Sequence, residues 1–262
     1  MKKILTLTLV LLLAIGMKAQ QNHAPEYLLF EFMSVPDENT QDYLAVEQFW
    51  SGIHQQRVAD KSIIGWDLWA LTPSGSKQGS QFLTVTIFPS LKAMLSAVTS
   101  LDVMGYAKKA YPNKSEKELN AMMEKTVKSR DIAHQVLFKG VDETKDDFKM
   151  QLGTVCTLDV MKQLDDSYEK VESEIFKPWH QQLVDDGKKG HWGLIRTILP
   201  AGSTAYADHI AYSFYKDMDQ LAAFMENSGG DMDMKTQMAI SKGLKTRDWK
   251  EMIIGKLIKM VR

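Results

Sequence analysis

The chain has 262 residues, with 32 Lys and Arg against 33 Asp and Glu, a formal charge of −1, and 44% hydrophobic and 25% charged residues. That is the composition of an ordinary folded domain, so a disordered or fibrous chain is excluded. The charge is balanced and no basic stripe occurs, which argues against a nucleic-acid partner.

Residues 1–20 read as a signal peptide. Lys2 and Lys3 precede an apolar run from Ile4 to Ile15, and Ala19-Gln20 supplies a small-residue cleavage region. The run is too short to span a bilayer, and no other segment is apolar enough to do so. The expectation is an exported protein, periplasmic or extracellular. Without these residues the balance is 29 basic to 33 acidic. Cys156 is the only cysteine, so no internal disulfide can form and the fold must rest on packing. The single thiol reads as a small buried hydrophobe in a strand.

A strand is expected over 27–35, followed by turn and capping residues Asp37 to Thr40. A helix over about 41–60 carries Tyr43, Val46, Phe49, Trp50 and Ile53 at helical spacing. Strands over 64–71 and 81–88 come next, then helices from Ser90 to about Ser100 and over 115–128, and a strand over 132–138. The order then recurs: a strand over 152–160, a helix over about 163–186, strands over 191–199 and 209–215, helices over 217–227 and 231–242, and a last strand over 249–259.

The recurrence is also one of residues. Tyr43, Val46-Glu47, Trp50, His54-Gln55-Gln56, Gly65-Trp66, Pro73 and Gly75-Ser76 reappear as Tyr168, Val171-Glu172, Phe176, His180-Gln181-Gln182, His191-Trp192, Pro200 and Gly202-Ser203. The offset drifts from 125 to 127, which implies two one-residue insertions. Lys128-Ser129-Arg130-Asp131 likewise returns as Lys245-Thr246-Arg247-Asp248. A duplication of this kind means two like units packed together. The organisation is therefore 1–20 signal peptide, 25–140 first repeat, 141–149 linker and 150–262 second repeat.

Each repeat has the order β-α-β-β-α-β, a ferredoxin-like unit with helices on one face of a four-stranded sheet. The bare face must be covered, and the other repeat can cover it. The fold class is thus α+β: two ferredoxin-like repeats forming a single-chain pseudo-dimeric barrel with helices outside. By element order and repeat, the chain resembles the dimeric α+β barrel superfamily, including uncharacterised secreted bacterial members. That resemblance implies a range of roles: cofactor-independent monooxygenases or isomerases, haem-dependent enzymes and haem-binding proteins, and small-molecule binders.

Strand alternation gives a candidate cavity. Leu83, Val85 and Ile87, with Ile210, Tyr212 and Phe214, suit the helix-facing core. Phe82, Thr84, Thr86 and Phe88, and His209, Ala211, Ser213 and Tyr215, would then face the space between the sheets. Glu31 is aligned with Cys156, and His134 with Glu251. The candidate ligand-binding set is Glu31, Phe82, Thr84, Thr86, His134, His209, Ser213, Tyr215 and Glu251. A buried His near a carboxylate suits proton transfer, and His134 or His209 would be the axial ligand of a haem. His54, His180, Trp66 and Trp192 read as packing residues near the helix–strand turns. The methionines, including Met122, Met123, Met232, Met234 and Met238, suit adaptable core packing rather than metal binding.

No phosphate-binding glycine loop, zinc-spaced Cys/His set or G-x-S-x-G elbow occurs, so no cofactor and no metal are expected. The main expectation is a protein that binds a small apolar ligand between its sheets, as a monomer or weak homo-oligomer. The alternative is a cofactor-independent monooxygenase- or isomerase-like enzyme, and a further one is a haem-binding protein.

Overall fold

A computed structural model describes residues 26–75, 79–227 and 233–262. The expected signal peptide, Ser76 of the first turn, and the expected helix start at Asp231 lie outside the described residues.

The first repeat contains β1 (Tyr27–Ser34), α1 (Thr40–Ala59), β2 (Gly65–Thr72), β3 (Phe82–Phe88), α2 (Leu91–Ser100), α3 (Val103–Ala110), α4 (Glu116–Ser129) and β4 (Asp131–Glu143). The second contains β5 (Val155–Gln163), α5 (Tyr168–Val171), a π-turn (Glu172–Phe176), α6 (Lys177–Asp185), β6 (His191–Leu199), β7 (His209–Tyr215), α7 (Met218–Asn227), α8 (Met234–Gly243) and β8 (Arg247–Val261). The strands close into one antiparallel barrel in the order β1-β3-β2-β8-β5-β7-β6-β4. The repeats are sewn together along two seams, β2 with β8 and β4 with β6. One chain therefore completes the barrel and leaves no free sheet edge.

Local signals account for the helices. Ser115 and Glu118 form a reciprocal capping box that starts α4. Ser90 caps α2 through the Ala93 amide. α1 is buried on two sides. Tyr43 joins the core against the sheet, whereas Phe49 and Ile53 pack with Ala107 of α3 and Leu119 of α4. α3 is not among the expected helices.

The π-turn locates one of the two insertions. Tyr43 and Glu47 match Tyr168 and Glu172 at an offset of 125, while Trp50 and His54 match Phe176 and His180 at 126. The extra residue falls between Glu172 and Phe176, where the helix widens. A π-turn absorbs one residue without rotating the flanking turns, so Glu172 and His180 keep the positions that Glu47 and His54 hold.

Two corrections follow from the register. The faces of the strands are the reverse of those expected. Leu83, Val85, Ile87 and Ile210 form the barrel interior with Leu28, Phe30, Trp69, Cys156, Leu158 and Leu257, and Tyr212 and Phe214 pack against them. Phe82 and Phe88 face the helices, packed with Tyr43 and Trp66. So do Ala211, packed with Tyr168 and Trp192, and Tyr215, packed with Leu221 of α7. The physical reason is that the interior of a closed eight-stranded barrel is lined from both sheets largely by apolar side chains, and the greasier set supplies that lining. The alignment also shifts. Glu31 opposes Thr84 as Asp159 opposes Ala211, and Leu28 opposes Ile87 as Cys156 opposes Phe214. Glu31 thus corresponds to Asp159, and Cys156 to Leu28.

Candidate functional site

Between the sheet of the first repeat and its helices lies a cavity of about 460 Å³. Its floor is the helix-facing side of β1, β3 and β4, with Glu31, Thr84, Thr86 and Gln135; α1 contributes Glu47, Trp50, His54 and Arg57, and the end of α2 and the loop after it close the far side. Glu31 is half-buried. Its carboxylate accepts from Thr84 Oγ1 at 3.2 Å and from Gln135 Nε2 at 3.1 Å.

The opposite wall is cationic. Arg57 is 4% exposed, yet no carboxylate pairs with it among the described residues. Its Nη1 lies 3.3 Å from His54 Nδ1, its guanidinium sits 5.8 Å from the Phe88 ring centroid, and its Nε makes no hydrogen bond. A buried cation in this state is costly unless a ligand completes it. His54 stacks on Trp66 at 4.8 Å and 15°. Burial first, and the Arg57 charge second, hold its pKa well below the usual imidazole range. The imidazole is therefore neutral, and with Nδ1 accepting from Arg57 its proton resides on Nε2.

Glu47 and Arg130 form the third polar group, a buried pair at 3.4 Å. Burial pushes the Glu47 carboxyl up to about 7, against the pull of Arg130. Tyr43, one turn before Glu47, is pushed up by burial and by that carboxylate.

The second repeat has the same frame with another cation. His180 stacks on Trp192 at 4.8 Å and 14°. Glu172 pairs with Arg247 beside Tyr168, as Glu47 does with Arg130 beside Tyr43. The position equivalent to Arg57 is Leu183, and the charge comes from Lys189 instead. Its Nζ lies 3.0 Å from His180 Nδ1 and 2.9 Å from Ser213 Oγ, over the ring of Tyr215. Burial pushes Lys189 down to about 7, opposed by Asp159; burial pushes Asp159 up to about 6, opposed by Lys189 and Arg247. The lysine is thus satisfied by the protein, whereas Arg57 in the first repeat is not.

The expected site residues divide accordingly. Glu31, Thr84 and Thr86 share one cavity, on the helix side of the sheet rather than between the sheets. Phe82 lies behind that floor in the apolar core. Ser213 and Tyr215 belong to the Lys189 cluster. His209 is 1% exposed, with Nδ1 2.9 Å from Asp208 and Nε2 3.0 Å from Glu169, so neither nitrogen is left for a ligand. His134 and Glu251 are exposed strand residues that line neither this cavity nor the barrel cavity. Neither histidine expected to hold a haem is therefore presented to a cavity. The residues do not fit that group. Among the described residues, no cluster of three or more His, Cys, Asp or Glu could hold a metal ion.

No sequence pattern singles out Arg57 or Asp159. The basic tip Asp186-Gly187-Lys188-Lys189-Gly190 reads as a solvated turn, whereas Lys189 is 3% exposed because its ammonium turns inward to His180 and Ser213. The Glu47–Arg130 and Glu172–Arg247 pairs were visible only as residues that recur. A repeated acid on the first helix and a repeated arginine before the last strand were the available signal.

Neither a protein-family model nor a curated protein matches the sequence. Solved structures do match in fold. A candidate monooxygenase from Fusobacterium nucleatum aligns with a TM-score of 0.54 at 12% identity, over 90% of this chain and 94% of that one. A candidate monooxygenase from Lactobacillus acidophilus NCFM aligns with a TM-score of 0.52 at 10% identity, over 91% and 96%. An anthrone oxidase-like protein aligns with a TM-score of 0.51 at 12% identity, over 92% and 94%. At these identities the likeness shows the fold, a pseudo-dimeric α+β barrel of two ferredoxin-like repeats, along the whole chain and not one half of it.

Proposed function

We propose that the protein is an exported enzyme that takes a proton from a small, partly aromatic carbon or oxygen acid in the helix–sheet cavity of the first repeat. The observation that carries this reading is the pairing of Arg57, a buried guanidinium without a carboxylate partner, with the Glu31 carboxylate in one cavity. A substrate oxygen binds Arg57 and is oriented by the Nε2–H of His54. Glu31 accepts the proton, and the electron pair left behind delocalises onto that oxygen, where the guanidinium stabilises the charge. Thr84 and Gln135 hold the Glu31 carboxylate in place. Trp50, half-buried at the cavity, provides a flat apolar wall for a ring.

The resulting anion has two outcomes. Return of the proton to another carbon gives an isomerisation. Reaction with dioxygen at a methylene carbon gives an oxygenation in which CH2 and O2 become C=O and H2O, so the substrate supplies the electrons and no bound cofactor is needed. Supporting this over simple binding are the opposed charges at the site and the shared fold with candidate monooxygenases. Residues 1–20 support export.

Oxygen uptake with anthrone as probe tests the reading. The wild type is expected to consume one O2 per anthrone oxidised. Glu31→Gln is expected to lower kcat by about 10²- to 10⁴-fold, the usual worth of a positioned base. Arg57→Met should lower kcat/KM by a comparable factor. Turnover unchanged in both variants would refute the assignment.

A further inference from the structure

We propose that the barrel interior is a second, separate binding site, for a planar aromatic molecule bearing one hydroxyl group. It encloses about 480 Å³, a volume distinct from the helix–sheet cavity and lined by none of its residues. Eight-stranded barrels are either filled by their own side chains or hold one small ligand. Here a cavity remains between the two sheets, and Tyr212 and Phe214, which line it, are only half-buried.

The shape is set by parallel rings. Trp69 and Phe214 lie 5.8 Å apart at 7°, and His191 and Phe214 lie 5.5 Å apart at 25°. Flat walls of this kind select a flat ligand. Below them the cavity is aliphatic, with Leu28, Leu83 and Leu158, so the deep end of the ligand must be apolar.

Glu26, Glu143 and Lys149 also line this cavity, and among its polar groups one dyad is aimed for recognition. His191 Nδ1 lies 2.8 Å from Asp146 Oδ2, with side-chain exposures of 14% and 10%. Asp146 is held in turn by the Thr144 hydroxyl at 2.9 Å and by the Phe148 amide at 3.1 Å. With Nδ1 donating to the carboxylate, Nε2 is the ring nitrogen left for a ligand, and in that tautomer it accepts. The matching ligand group is a donor, a phenolic O–H. Asp67 is already closed by a bidentate contact with Arg262 at 2.8 and 3.0 Å, so it does not recruit a cationic ligand.

The acid of the dyad and part of the wall come from the stretch between β4 and β5, whereas His191 opens β6. That stretch enters the barrel mouth with Asp146, Phe148 and Met150, and a Cβ at Gly190 would meet the Phe148 ring at 2.4 Å. Joining two repeats in one chain thus adds Asp146 and Phe148 to residues that the repeats themselves supply.

Binding of 2-naphthol, with naphthalene for comparison, tests this by titration calorimetry on the purified protein. One equivalent of 2-naphthol is expected to bind. Val85→Trp, which fills the barrel, should weaken it at least tenfold, and Ala97→Trp, which fills the helix–sheet cavity, should leave it within twofold. His191→Phe should weaken 2-naphthol by about tenfold, the worth of one hydrogen bond, and leave naphthalene unchanged. Should Val85→Trp not fold, the lone Cys156 of the wild type reports directly: bound 2-naphthol should slow its modification by methyl methanethiosulfonate. Absence of binding, loss of binding in Ala97→Trp with retention in Val85→Trp, or unprotected Cys156 would each overturn the proposal. None of these outcomes depends on anthrone turnover, so the two sites succeed or fail separately.

Discussion

Lys189 places its ammonium 3.0 Å from Nδ1 of His180, the position that Arg57 takes against His54 in the other repeat. The two cations reach equivalent places from different elements, one from the turn before β6 and one from α1. Both lie over the aromatic residue that ends the third strand of their repeat, Tyr215 or Phe88. The difference lies in what completes them. Lys189 has Ser213 and the nearby Asp159, whereas Arg57 has no carboxylate partner among the described residues and leaves its Nε unbonded.

Lys189 makes stability depend on pH. Folded, it holds its proton only below about 7; unfolded, it does so up to about 10.4. Between those limits the unfolded chain binds more protons, so stability rises as pH goes up from about 7 to about 10.4, and below 7 this group adds no further change. Asp159, at about 6 when folded and roughly 3.9 when unfolded, acts oppositely, and stability falls as pH rises from 4 to 6. Urea denaturation across pH 4 to 10 should therefore show a minimum near pH 6 to 7. Lys189→Met should flatten the upper limb.

The Glu47–Arg130 pair sits in both the core and the cavity wall. Arg130→Met leaves a buried carboxylate without its partner and should cost about 3–5 kcal/mol in urea denaturation. Glu47→Leu combined with Arg130→Met should recover most of that loss. Equal losses in the single and double variants would show that the charge is not what is being stabilised.

The π-turn at Glu172–Phe176 is a scar of the duplication. Deleting Glu174, whose side chain is 65% exposed, should return the helix to the spacing of α1. Stability should change by less than about 1 kcal/mol, since flanking contacts are kept. A collapse in stability would show that the wide turn is itself required.

His209 is held by two carboxylates and packs edge-on against Tyr168 at 4.8 Å. His209→Phe should cost about 1–3 kcal/mol through the orphaned acceptors, with anthrone oxidation unchanged within twofold. A large loss of turnover at full stability would return this histidine to the catalytic candidates.

The repeat, its β-α-β-β-α-β order and the closure of two sheets against each other were all legible, because hydrophobic period and repeated turns are local properties of a chain. Strand ends were less so. β4 runs on to Glu143 and β5 begins at Val155, since the seams between the repeats, not propensity, decide how long those strands pair.

Which face of a strand looks inward was not legible. Alternation separates Leu83, Val85 and Ile87 from Phe82, Thr84 and Thr86, but it does not say which set meets helices and which meets the other sheet. Closure decides that, because the barrel interior takes the apolar set of β3, and the hydroxyls of Thr84 and Thr86 go to the side of the sheet that holds Glu31 and Arg57. Glu31, Arg57 and the hydroxyls are tens of residues apart in sequence, as are His191 and Asp146. Local pattern along the chain is enough to specify a duplicated α+β barrel with one thiol and no metal-ligand motif; where its charges converge depends on register and barrel closure, which no local pattern encodes.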